Sequence, residues 1–103
     1  MKLSELQRDN SKELLKIVEN FGNDISIHIQ QEPMDNYYTL VNKLVETANM
    51  DHVKKIIHRI QVSGTIYPIY MHNNQIAEGA DRLVALYLLN CKNIPVAHIK
   101  CLT

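Results

Sequence analysis

Apolar residues recur along the chain with two different periods. Leu14, Leu15, Ile17, Val18 and Phe21 fall on one face of a helix, and Gly22 is a natural stop. Ser11 is one candidate start for that helix. Ser4 is another, with Gln7 three residues on completing a capping box. The period then changes to two. Ile25, Ile27 and Ile29 alternate with Ser26, His28 and Gln30, which predicts a half-buried strand that Pro33 breaks. Asp35 is placed to cap a second helix bearing Leu40, Val41, Leu44, Val45 and Ala48, ending near Asn49. Asp51 is placed to cap a third, with Val53, Ile56, Ile57 and Ile60 inward, Lys54, Lys55 and Arg59 outward, and Gly64 as its end.

The second half reads as strand, turn, strand, helix, strand. "TIYPIYM" (Thr65 to Met71) is a strand whose Pro68, lacking an amide donor, belongs at its start or on an edge. His72, Asn73 and Asn74 turn the chain into a short strand from Gln75 to Ala77 that Gly79 closes. A helix begins near Ala80 or Asp81, is wholly apolar from Leu83 to Leu89, and ends near Asn90. Pro95 opens a last strand, Val96 to Cys101. The pattern predicts a mixed α/β (α+β) domain with a mixed sheet, its last helix central and covered on several sides. Residues 1–24 form an N-terminal helical extension, and 25–103 form the core.

Charge and composition narrow the functions. The chain has 103 residues, enough for one core, and its 11 Lys and Arg balance its 11 Asp and Glu. That balance argues against a strong sequence-independent grip on nucleic acid, which needs a clustered positive field. No apolar run approaches the roughly 20 residues of a membrane span, and the N-terminus lacks a signal-peptide core. Cys91 and Cys101 make neither a CxxC pair nor a metal spacing and read as reduced, packed thiols of a cytoplasmic protein. The five histidines show no ligand spacing, so no metal site is assigned.

The one polar knot at the start of an apolar helix is Glu78-Gly79-Ala80-Asp81-Arg82. The first amides of a helix lack intrahelical acceptors and carry partial positive charge. A glycine admits close approach to the backbone, and an arginine adds a forked cation suited to phosphate. Together they make an anion site. Asp81 opposes it: this acid either caps the helix, pairs with Arg82 or a neighbouring base, or holds a metal that bridges to phosphate. The plain alternative is a capped helix with Arg82 solvated or ion-paired.

The setting of the knot resembles the ParB/sulfiredoxin-like domain. The pieces run in that family's order: an amphipathic helix from Val53 to Gly64, "IYPIYM", the turn "HNNQ", the junction "IAEGADR", the helix "LVALYLL" and the strand "NIPVAHI". The likeness covers about half the chain, and the Ile25–Ile29 strand stands where the family has its first. It implies a nucleotide or phosphate pocket in which Gly79 and Arg82, with the amides of Gly79, Ala80 and Asp81, hold phosphate. Thr65, Tyr67 and His72 would line the mouth. Glu78 or Asp81 would hold Mg2+ or act as base. The family's G-x-x-Q-P element falls on Gly64 to Pro68, with Tyr67 in place of Gln.

The departures constrain the chemistry. Sulfiredoxins need a cysteine within G-C-H-R, and Ala80 stands there, so sulfinic acid repair is excluded for want of a thiol. Partition proteins read G-E-R-R, and the inner pair here is Ala80-Asp81. Their later E-N-x-x-R element and helix-turn-helix domain do not follow, so centromere-type DNA binding is not expected. A two-metal nuclease needs more convergent acids than Glu78 and Asp81. Two functions are therefore expected. The first is nucleotide or phosphate binding, extending at most to NTPase- or kinase-like chemistry. The second is a degenerate, non-catalytic module that binds a protein partner, such as a phage or plasmid accessory protein acting on a host component. Met34, Tyr37 and Tyr38 are candidates for such an interface or for a homodimer contact, although ordinary packing at a helix start is the simpler explanation of them.

Overall fold

The computed structural model of the chain describes residues 11–102. The Ser4–Gln7 capping box lies outside them. The described elements are α1 (Ser11–Phe21), β1 (Ile25–Pro33), a 3-10 turn (Met34–Tyr37), α2 (Tyr38–Thr47), α3 (Met50–Ser63), β2 (Ile69–His72), β3 (Gln75–Glu78), α4 (Ala80–Leu88) and β4 (Asn93–Cys101). They form the mixed α/β domain that the hydrophobic pattern predicts.

The four strands lie in the order β1-β4-β2-β3. β1 runs antiparallel to β4, β4 parallel to β2, and β2 antiparallel to β3. The β2–β3 hairpin turns on Asn73 and Asn74, both left-handed with φ of 49° and 64°. Two successive residues of that hand match the twist of the flanking strands. β3 and α4 then form the crossover that brings β4 back parallel to β2.

Both faces of the sheet are covered, which is why Ile69, Tyr70 and Met71 of β2 are all apolar and buried. Ile69 and Met71 pack with Val41 of α2, Leu83 and Leu86 of α4, and Val96 of β4. Tyr70 faces the other way and packs with Ile17 of α1, Ala97 and Ile99. α3 lies outside α4, joined to it through Val53, Ile56, Val84 and Ala85. Leu83 to Leu86 are fully buried, as expected for a helix flanked by a sheet, α2 and α3. α1, expected to belong to an N-terminal extension, thus contributes Ile17 to the cluster around Tyr70.

Several boundaries move for local reasons. Asp35 caps nothing: the chain first makes the 3-10 turn, Pro33 holds the cap position, and no side chain bonds to the freed amides. Asn49 does not end α2 but starts α3, its carboxamide oxygen accepting from His52 N at 3.2 Å, and Asp51 falls inside the first turn. Thr65 to Tyr67 are irregular, and the strand starts only at Ile69, after the proline. Pro95 sits within β4 opposite Gln31, two residues after the strand begins. Pairing with β2 starts at Val96, so at Pro95 the strand has no neighbour on that side to miss a donor. Met34 and Tyr37 are core, whereas Tyr38 is 46 % exposed and packs edge-on against Tyr87. Of the two free thiols, Cys91 is half-buried and Cys101 is exposed rather than packed.

Candidate functional site

The β3–α4 junction forms one wall of a cleft of about 670 Å³. Gly79 occupies the N-cap of α4 in the left-handed region, with φ of 101°, and no side chain caps the helix. A Cβ at Gly79 would be strained by that φ and would come within 3.5 Å of the Ile69 backbone. Glycine here supplies the left-handed turn that leads β3 into α4. The consequence is a helix start whose free amides at Ala80 and Asp81 have no side-chain acceptor.

α1 and α3 supply the opposite walls. α1 contributes Glu13 and Lys16, and α3 contributes His52, Ile56 and Arg59. Arg82 reaches over the end of the sheet, where Nη1 donates to Pro68 O at 2.8 Å and to Glu13 Oε2 at 3.1 Å. Its Nη2 donates to Glu13 Oε1, completing a forked pair. The two side chains are only 12 % and 20 % exposed, so water screens the pair weakly. The guanidinium also sits 5.7 Å from the centre of the Tyr67 ring. The other junction acids are engaged as well. Asp81 Oδ2 lies 2.7 Å from His52 Nδ1, and Glu78 lies 3.8 Å from Lys16 Nζ.

The predicted site residues are thus mostly brought together. Glu78 to Arg82 and Tyr67 line the main cleft. Thr65 lines an adjoining groove of about 370 Å³ that shares Tyr67, Arg59 and Arg82 with it. His72 is not at the mouth. It lies at the far end of β2, its ring stacked at a tilt on Phe21 with centroids 4.5 Å apart. A strand of this length carries its two ends about 10 Å apart. Glu13, Lys16, His52 and Arg59 are cleft residues absent from the sequence-based set. Nothing local marks them, since each is an ordinary polar position of an amphipathic helix.

Among the described residues no three His, Cys, Asp or Glu side chains converge as a metal-ligand set. Mg2+ commonly takes only one or two protein carboxylates and completes its shell with phosphate and water. Glu78 and Asp81 match that number but are each held by a base, so an ion entering with phosphates has to displace Lys16 or His52.

A second cluster, built around one carboxylate, lies on the α2 side of the sheet where β1 pairs with β4. Glu32 accepts from the Tyr37 hydroxyl, from Gln30 Nε2 at 3.0 Å, and pairs with His98 Nε2. Burial pushes the Glu32 carboxyl up. The bonds from Tyr37, His98 and Gln30, with the His98 charge, outweigh burial and hold it below the usual carboxylate range. Burial and the same carboxylate drive the Tyr37 hydroxyl well above its ordinary value.

Among the described residues, no helix is long and apolar enough to cross a membrane. Comparison of the chain with protein-family profiles, with curated proteins and with solved structures finds no match.

Proposed function

We propose that the chain is a ParB/sulfiredoxin-like domain of the cytoplasm that binds a phosphate-bearing small molecule, a nucleotide being the implied ligand, at the β3–α4 junction. The observation that carries this is the uncapped start of α4, held open by Gly79 and facing a cleft that Arg82, Arg59 and Lys16 also line. Free amides with permanent cations beside them are the parts from which phosphate sites are built. Tyr67 and the adjoining groove offer an apolar and aromatic surface for a base next to the phosphate corner. Mg2+, where required, would arrive with the phosphates, with Glu78 or Asp81 lending a carboxylate. Binding is the activity proposed. Hydrolysis or phosphoryl transfer of the NTPase or kinase type would need one of those two acids released from its present partner.

Thermal melting against a panel of nucleotides, with and without Mg2+, tests the proposal. A ligand at 100 times its dissociation constant adds about 2.7 kcal/mol to stability. At least one nucleotide is expected to raise the melting temperature of the wild type and not that of Arg82→Gln. If the panel leaves the wild type unmoved, the proposal fails. If Arg82→Gln keeps the full shift, the ligand sits elsewhere.

One observation favours a second reading, a non-catalytic module that regulates or binds a protein partner. Every junction charge already has an intramolecular mate: Arg82 with Glu13, Asp81 with His52 and Glu78 with Lys16. On that reading the knot is a structural clasp, and no nucleotide shifts the melt.

A further inference from the structure

Glu13 stands where an anionic ligand of this corner would stand. Its two oxygens meet the two terminal nitrogens of Arg82 as a phosphate would, yet it arrives from α1, 69 residues away in sequence. Tyr70, which packs with Ile17 of α1, has its hydroxyl buried without a hydrogen-bond partner among the described residues. Tyr70 is fully buried, and an orphaned hydroxyl in such a place costs free energy that a native packing rarely leaves uncompensated. The group belongs to the same corner, since Tyr70 pairs across the β2–β3 hairpin with Glu78, a residue of the cleft wall. Burial, and then the Glu13 carboxylate, push the Tyr70 pKa up to about 12, while Arg82 pulls it the other way. α1 has an anchor besides Glu13, because Ile17 is fully buried against the sheet face.

We propose that the Glu13 carboxylate is an internal stand-in for ligand phosphate, that an incoming phosphate displaces it from Arg82 while α1 stays docked through Ile17, and that the Tyr70 hydroxyl then donates to the bound anion. This rests on the phosphate-binding reading above. It adds a ligand-binding residue on β2 and a built-in competitor that sets affinity. While Glu13 holds Arg82, the cleft presents three acids (Glu13, Glu78, Asp81) against three permanent or ammonium cations (Lys16, Arg59, Arg82). Swinging Glu13 out leaves the cleft one positive charge richer at the moment the anion enters.

Inorganic pyrophosphate without Mg2+ is the probe, titrated calorimetrically into wild type, Glu13→Gln, Glu13→Ala and Arg82→Gln. Both Glu13 variants are expected to bind about tenfold or more tightly than wild type, and Arg82→Gln not at all. Adding Tyr70→Phe to Glu13→Gln is expected to weaken binding about tenfold, the loss of one hydrogen bond to a charged group. Equal affinity of wild type and both Glu13 variants overturns the stand-in and leaves the phosphate site intact. An unchanged affinity on adding Tyr70→Phe removes Tyr70 from the site. If neither wild type nor any variant binds pyrophosphate, in the absence of Mg2+ and again in its presence, the phosphate-binding reading falls and takes the stand-in with it. A measurement on wild type avoids reliance on variants that fold poorly. The Glu13 side-chain carboxyl carbon resonance is expected to move to that of a solvated glutamate as pyrophosphate saturates the site. A resonance that stays fixed while pyrophosphate binds overturns the displacement.

Discussion

Glu13 and Glu32 are both half-hidden carboxylates that draw several donors, but their surroundings differ. Glu32 joins β1, β4 and the 3-10 turn through a phenol, a carboxamide and an imidazole. Those donors converge on the one carboxylate, and they lower its pKa against the opposing effect of burial. Glu13 instead meets a permanent cation, across the end of the sheet, at the rim of the larger cleft and beside a helix start that has no cap of its own. Around Glu32 the donors on hand are satisfied. Around Glu13 free amides, Arg59 and a buried hydroxyl remain without an acceptor among the described residues. A saturated cluster holds elements together, whereas a cluster with donors in excess can accept a ligand.

The sharpest way to break this contrast is Arg82→Ala. It removes three charge-assisted hydrogen bonds, two to Glu13 and one to the Pro68 carbonyl, and is expected to cost about 3 kcal/mol in urea unfolding even as Glu13 turns out to water. Adding Glu13→Leu replaces the unpaired carboxylate with an apolar side chain that can cover the sheet end, so the double variant is expected to regain part of that loss. A double variant no more stable than Arg82→Ala would mean that the pair does not couple the two layers.

On the Glu32 side, Tyr37→Phe deletes one donor to a charged acceptor and is expected to cost about 2 kcal/mol, with binding of any ligand at the α4 corner unchanged. The pH dependence sharpens the point. The folded Glu32 carboxyl titrates below its ordinary 4.5, so its stabilisation is complete above that pH and is lost as pH falls through the lower folded value. Unfolding midpoints of wild type are expected to drop over this acid window more steeply than those of Glu32→Gln. Parallel curves would remove Glu32 from the acid response.

The smallest effect is expected at His52→Ala. The His52–Asp81 contact is half-exposed on the histidine side, where such pairs contribute within about 1 kcal/mol. A larger loss would make Asp81 a structural anchor and not a residue available to ligand or metal.

The junction itself was legible from sequence because its signals are local. Glycine before an apolar run marks a left-handed turn into a buried helix, and the structure places both there. Positions that depend on competition between neighbouring caps were less legible. Asn49 and Asp51 are both good N-cap residues, and Asn49 is the one whose carboxamide reaches a free amide. His72 looked close to the junction because the hairpin is short in sequence, yet an extended strand carries it to the far end of the sheet.

What the sequence determined by itself was periodicity: where the chain alternates by two, where by 3.6, and where an apolar run must be covered on all sides. From that came the mixed sheet, the central α4 and the polar knot at its head. Only the tertiary structure decided what the knot touches. Arg82 could have been solvated, paired with Asp81 or open to ligand. Packing Ile17 of α1 on one face of the sheet and Leu83 of α4 on the other brought Glu13 to it across the sheet end. Charge pairing across such a span has no local signature, because it is set by which faces are buried and not by spacing along the chain.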